Sequence, residues 1–334
     1  MTAPWEDQDN KKLTNMIKKT KRRTALRNVI ISLIVSVIVL FSGMLVNVHL
    51  ASLSSQRTMN DEYALKAISG PNQYISGSTD EVGFLSGRIE INMYKVIEGV
   101  PIPWLTRKNV YNVLPLFSFT SLSGSANGLS LSLPDPEMVK ENYEYYRNYN
   151  GYNGQRQMMF YIPEVNYNGK VLNDLPAVRQ MDQDKLVEMA ISFDKSYSLA
   201  EVRAMIPAEL TQVWYWVDTY DNKKYFDPYK DGNGNISYAN PQGENWLYGF
   251  GINLDGPAIN EKDFIASLEQ GLKGEYHYEF NRIYDYLRGD KAKPSETDVR
   301  LLGVVLTGTA KELQILSGQS YARAATLGAV VDKY

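Results

Sequence analysis

The chain has 334 residues, a net charge of −3, no cysteine and only two histidines. That composition excludes disulfides, thiol catalysis, thiolate metal sites and a zinc site built on several histidines. With 44% hydrophobic and 22% charged residues, it is otherwise ordinary globular composition.

Residues 1–28 form a short basic segment. Eight lysines and arginines against Glu6, Asp7 and Asp9 leave a charge of +5. The basic residues are densest at Lys18, Lys19, Lys21, Arg22, Arg23 and Arg27, just before an apolar run. Leu13, Met16 and Ile17 fall at i, i+3 and i+4, an apolar stripe on a helix beginning near Asp9. Such a stripe can lie on the inner leaflet beside its lysines or dock a partner protein.

From Val29 to Val48 no residue is charged, and apolar side chains circle the whole helix. About 20 residues at roughly 1.5 Å rise span about 30 Å, the hydrocarbon thickness of a bilayer. The run is longer than the apolar core of a signal peptide, and no A-x-A cleavage site follows it. A core helix of a soluble protein rarely starts behind eight basic residues. The sequence therefore predicts a transmembrane helix over 29–49. The flank beyond it is near-neutral, with Arg57 and Lys66 balanced by Asp61 and Glu62. The positive-inside rule puts the N-terminus in the cytoplasm and the rest outside, at the cell membrane. With −3 overall and +5 inside, the outer part carries −8. That acidity argues against nucleic acid as a partner.

Beyond the span, residues 50–133 read as a membrane-proximal β-rich region. SLSSQRTMNDEYALKAI forms a helical stalk that ISGPNQY ends at Gly70-Pro71. VGFLSGRIEINMYKVIE (82–98), VYNVLPLFSFT and GLSLSL supply strands. Residues 134–155, rich in Tyr, Asn and Gly, read as a linker or long surface segment. Residues 156–334 then form a C-terminal α+β domain. Strands are expected at 156–163, LVEMAISFD, TQVWYWVDT and NWLYGFGINL. VRLLGVVLTGT, a nearly continuous apolar strand, is expected at the centre, covered on both faces. Helices start at the capping box Ser198-x-x-Glu201, at Asn260 and at Thr309-x-x-Glu312. The last of these takes in Leu313 and Leu316 and extends toward the Ala-rich segment. The fold class is α+β, with helices on one face of a mixed sheet.

YKDGNGNISYAN (229–240) matches the middle of an EF-hand calcium loop at Asp231, Asn233, Gly234 and Ile236. Tyr229 stands where the first Asp belongs, and Asn240 where the bidentate Glu belongs. A tight turn between strands suits these residues better. Trp214 and Trp216 share one face of a strand. They read as core packing or as an outer aromatic surface for a ligand. His277, between Glu275 and Glu279, reads as a surface helix residue. No spacing singles out a catalytic pair, Asp218 and Asp221 included, and GxSxG, P-loop, SxxK and HExxH motifs are absent. The expectation is no enzyme, no metal and no cofactor.

Several stretches in order resemble the sigma factor regulator family of Gram-positive bacteria: KKTKRRTALRNVIISLIV, ISGPNQY, GFLSGRIEINMYKVIEGVPIPW and LVEMAISFDKSYSLAEVRAMIPAELTQVWYWVDTY. The resemblance covers roughly residues 10–105 and 185–330. It implies a membrane-anchored anti-sigma-type protein whose outer part senses envelope state and whose inner part restrains an extracytoplasmic-function sigma factor. The inner segment is too short to supply several helices and lacks a Cys/His zinc motif. Restraint is therefore expected either directly or through an accessory membrane protein. The competing expectation is an anchored envelope module that grips wall polymer or another surface protein.

Overall fold

The computed structural model describes residues 4–114, 130–230, 232–252 and 259–333, with side chains from residue 12 onward except at Ser130. The chain divides into two units. One comprises Met1–Ser54, Val82–Gly87 and Asn112–Ser121; the other comprises Ser55–Glu81, Arg88–Tyr111 and Leu122–Tyr334.

Helix α1, Pro4–Ile68, is a single helix through the basic segment, the apolar run and the predicted stalk. Among the described residues it is the one helix long and apolar enough to cross a membrane, and its apolar window is wholly unburied. It stops where the sequence predicts. Gly70 takes a φ of +75°, and Ser69 Oγ donates to Leu65 O at 2.7 Å.

Strands β1 (Gln73–Val82), β2 (Ser86–Ile97) and β3 (Val100–Asn112) form a three-stranded sheet in sequence order. Glu98 and Gly99, both at positive φ, make the two-residue turn between β2 and β3. β4 (Ser130–Leu133) pairs antiparallel with β5 (Arg147–Asn150), and helix α2 (Pro136–Lys140) lies between them in sequence. The stretch expected as a linker is thus packed structure. Met138, Arg147 and Asn150 are buried, and Arg147 bonds both Asp135 and Asp174. Its tyrosines also serve the core: the Tyr145 hydroxyl donates to Lys170 O and meets the Tyr161 hydroxyl at 2.8 Å.

The remaining elements are β6 (Met159–Phe160), α3 (Leu175–Gln180), β7 (Leu186–Tyr197), α4 (Leu199–Met205), β8 (Thr211–Val217), β9 (Tyr229–Lys230), β10 (Ile236–Ser237), β11 (Gln242–Gly243), β12 (Gly249–Gly251), α5 (Glu261–Gly271), α6 (His277–Arg288), β13 (Leu301–Thr309), α7 (Ala310–Leu313) and β14 (Ala322–Val331). Five strands form the main sheet in the order β12-β8-β13-β7-β14. Every pair in it is antiparallel, so the sheet is not mixed as expected. β13 is central and buried along almost its whole length, as its unbroken apolar run requires.

The final helix is shorter than expected. After α7 and one 3-10 turn the Ala-rich segment becomes edge strand β14. Pairing with β7 satisfies its backbone and overrides the helix propensity of alanine.

Helices α3 to α7 pack on one sheet face, whereas Met138 of α2 joins the core on the other. Val187, Met189, Ile191 and Phe193 of β7 meet Val202 of α4, Phe264 and Leu268 of α5 and Ile283 of α6 in one core. Leu65 and Ile68, at the end of α1, belong to the same core. The opposite face carries Ala190, Trp214, Trp216, Leu302 and Val305 and is covered by the segment around Phe160 and Tyr161.

Candidate functional site: a buried charge cluster at the foot of the stalk

Strand alternation puts Glu188 of β7 on the sheet face away from the helices, beside Ala190. This carboxylate is fully buried inside a strand whose first eight residues, 186–193, are all buried and, apart from Glu188 and Ser192, apolar. Its charge is met from β2. Lys95 Nζ, also fully buried, lies 2.8 Å from Glu188 Oε2 and 3.0 Å from Glu244 Oε2. Glu244 sits on a 3-10 turn, Glu244–Trp246, and its other oxygen accepts the Trp104 indole N–H at 2.8 Å. The ammonium also lies 3.9 Å from the centre of the Trp104 ring.

Asn72, just past the stalk, donates one amide nitrogen to Glu188 Oε1 and to Val96 O, each at 2.9 Å. Ala329 N–H donates to Glu188 Oε2 at 3.3 Å. The neighbouring Gly328 leaves room for that carboxylate: a Cβ there would stand 2.5 Å from Glu188 Oε2. Around the charges, Ile97, Val100, Trp104, Leu186 and Ala329 form a small apolar core.

One lysine facing two buried carboxylates is an unbalanced set. Burial opposes the Lys95 ammonium, but Glu188 and Glu244 outweigh it and hold its pKa above the ordinary lysine value. Burial, with Glu188 adding to it, holds the Glu244 carboxyl above the ordinary range despite the pull of Lys95. The cluster therefore keeps a proton on Glu244 more readily than a surface glutamate would.

The stalk is fixed beside this cluster. Glu62 is buried, accepts from Arg107 Nη1 at 3.0 Å, and accepts the Tyr276 hydroxyl proton bond. Lys66 Nζ caps the helix end by donating to Ser69 O at 3.0 Å and Gly70 O at 3.3 Å. Burial, then the nearby Arg107, pushes this amine down to about 7. A cavity of about 290 Å³ lies between the stalk end and β8, lined by Lys66, Asn72, Gln73, Tyr74 and Trp214.

The sites expected from sequence fall apart in space. Lys18, Lys19, Lys21, Arg22, Arg23 and Arg27 are exposed on α1, as are Leu13, Met16 and Ile17. Trp214 and Trp216 are buried and form no outer aromatic surface. Both stack edge-on against Phe160, at 6.4 and 5.4 Å between ring centres. Gly249 permits that packing, because a Cβ there would come within 2.7 Å of the Trp214 ring.

Asp231 lies outside the described residues. The strands flanking it, β9 and β10, pair antiparallel, and Gly234 has a φ of +85°, as in a hairpin turn. Among the described residues no three His, Cys, Asp or Glu side chains converge as metal ligands. His277 is exposed at the start of α6. Asp218 and Asp221 take separate partners, Lys223 and Arg282.

Sequence reasoning missed Lys95, Glu188 and Glu244. The available signal was a single charge on the inward face of an apolar strand, in INMYKVIE and in LVEMAISF.

The described residues thus hold one helix long and apolar enough to cross a membrane, followed by an α+β region with a buried charge cluster. The description "Sigma factor regulator N-terminal" matches residues 14–102, and "Sigma factor regulator C-terminal" matches residues 178–329. The chain belongs to the sigma factor regulator family. No curated protein and no solved structure matches it. The cluster joins the two matched regions: Lys95 comes from the first, and Glu188 and Glu244 from the second.

Proposed function

We propose that the chain is a single-pass membrane regulator of an extracytoplasmic-function sigma factor, with residues 1–28 in the cytoplasm and the α+β domain outside. The observation that carries this is the continuity of α1. One helix holds the basic segment, the apolar run and a stalk whose end, at Glu62, Leu65 and Ile68, is built into the outer core. In this reading the stalk is the covalent link between the outer core and the inner segment.

On the inner side, Leu13, Met16 and Ile17 present the exposed apolar stripe for a partner. Three side chains bury far less than the roughly 1,200–2,000 Å² of a stable specific interface. The isolated segment is therefore expected to bind a sigma factor weakly, with an accessory membrane protein completing the contact.

Two measurements test this. In cells carrying a sigma-dependent reporter, Lys95→Met should change reporter output, and three glycines inserted after Gln56 should uncouple that change from the outer domain. An unaltered reporter in both variants would support an anchored binding module without signalling. In a pull-down against sigma factors, tight binding of residues 1–28, abolished by Leu13→Asp and Ile17→Asp, would replace the accessory partner with direct restraint.

A further inference from the structure

Within the first unit, the outer end of the apolar run carries an amide side chain bonded through both its nitrogen and its oxygen. Asn47 Nδ2 donates to Gly83 O at 3.0 Å, and Asn47 Oδ1 accepts the Leu85 N–H at 2.6 Å. Both partners belong to the turn between β1 and β2. That turn is closed by Gly83 N–H to Ser86 O at 2.8 Å and braced by Val113 N–H to Leu85 O at 2.9 Å. Leu85 has a φ of +52°, a left-handed conformation that an L residue with a branched side chain rarely takes without support. The Asn47 bond to its N–H supplies that support.

The depth of this contact is set by the sequence. Asn47 stands two residues before the end of the predicted span, residues 29–49, beyond which Ser52, Ser54, Ser55 and Gln56 make the chain polar. At about 1.5 Å rise per residue, the turn meets the helix within a few ångströms of the outer boundary of the apolar run. The turn itself is suited to that level. Val82–Gly87 holds no charge, whereas Glu81 and Arg88 on either side are charged and pair with each other at 2.7 Å. Phe84 is 69% exposed and Val82 48% exposed. An exposed aromatic ring with aliphatic neighbours, bounded by charges, is the composition of a membrane–water interface anchor. An asparagine at this depth would be costly unless its amide were satisfied, and the turn satisfies it.

We propose that the turn Val82–Gly87 is a lipid-contacting surface. The Phe84 ring and the Val82 side chain sit in the headgroup–acyl boundary of the outer leaflet, and Asn47 fixes their depth. The proposal rests on the reading of α1 as a membrane span. It gives the turn Val82–Gly87, between β1 and β2, a contact with the bilayer separate from the span.

The absence of cysteine makes site-directed spin labelling direct. The full-length protein is reconstituted in vesicles of phosphatidylethanolamine and phosphatidylglycerol. Phe84→Cys is labelled, with Leu40→Cys as the span control and Tyr225→Cys, at a residue 82% exposed, as the aqueous control. Collision with oxygen should exceed collision with a water-soluble nickel chelate severalfold more at position 84 than at 225, and position 40 should lie deeper still. In an Asn47→Ala background the label at 84 should move toward the aqueous reading. An aqueous reading at 84 with a lipid reading at 40 overturns the proposal and leaves the membrane span intact. An aqueous reading at 40 overturns both. Shielding of 84 from both colliders marks a protein contact in place of lipid and overturns the proposal. An unchanged depth with Asn47→Ala overturns the positioning role of Asn47.

Discussion

The six lysines and arginines between Lys18 and Arg27 and the lysine at position 95 carry the same charge in opposite surroundings. The six are exposed on a helix, and their charge is held in high dielectric, where its effect on folding is small. Lys95 is wholly buried among two carboxylates and an indole, where its charge is part of the core. The contrast teaches that buried charge joins: Lys95, Glu188 and Glu244 tie the hairpin sheet to the main sheet. On the topology proposed above, the exposed charge of the basic flank has the separate task of orientation.

The sharpest way to break the comparison is to remove the buried cation. Lys95→Met leaves Glu188 and Glu244 buried without a counter-charge and is expected to cost about 3–5 kcal/mol. Denaturant unfolding of the detergent-solubilised chain, followed by tryptophan fluorescence, measures it. A loss below about 1 kcal/mol, the range of a surface ion pair, would show that the cluster is effectively solvated.

A smaller effect is expected at the second carboxylate. Glu244→Gln keeps the shape and leaves Lys95 paired with Glu188, but its one oxygen can accept from only one of Trp104 N–H and Lys95 Nζ, so a cost of about 1–3 kcal/mol is expected. The pH dependence is the finer test. The folded-state pKa of Glu244 is raised, so its stabilising share is complete below the ordinary carboxylate range and is lost as pH rises through the elevated value. The variant should therefore gain on the unsubstituted chain as pH rises from acid to neutral.

Lys66 stands between the two extremes, half-buried and without a carboxylate partner in its cap. Its amine, ordinarily near 10.5, is pushed down to about 7 by burial and then by Arg107. The unfolded chain binds the extra proton between those values, so stability should climb with pH across that window. Lys66→Met keeps the apolar stem and removes the titration. Its thermal midpoint should change less between neutral and alkaline pH than that of the unsubstituted chain. Equal slopes would remove Lys66 from the account.

How much of this was legible in the sequence follows the range of each interaction. The capping boxes at Ser198 and Thr309 are bonds across three residues, and both are present in the structure. The central placement of β13 was legible because Leu301 to Leu306 offers no polar position for a solvated face, so the strand is covered on both faces. Strand β14 was not, because its alanines favour helix until β7 offers an edge. The packing of Tyr145 and Arg147 depends on Tyr161 and Asp174, which local composition does not announce. The charge cluster was least legible: Lys95 is 93 residues from Glu188 and 149 from Glu244.

The smallest effect on stability is expected where charge is densest. Replacing Lys18, Lys19, Lys21, Arg22, Arg23 and Arg27 together by glutamine touches no buried partner, because all six are exposed on α1. Unfolding of the outer domain should then shift by no more than about 0.5 kcal/mol, the range of ordinary surface substitutions. Orientation should respond strongly. The flank beyond the span is near-neutral, so losing six positive charges erases the asymmetry that the positive-inside rule reads. A reporter fused at Gln56 should report the exterior in the unsubstituted chain and a mixture of both sides in the variant. A reporter that stays wholly exterior would show that the folded outer domain, and not the basic flank, decides topology. A large loss of stability with orientation unchanged would reverse the assignment of tasks between exposed and buried charge.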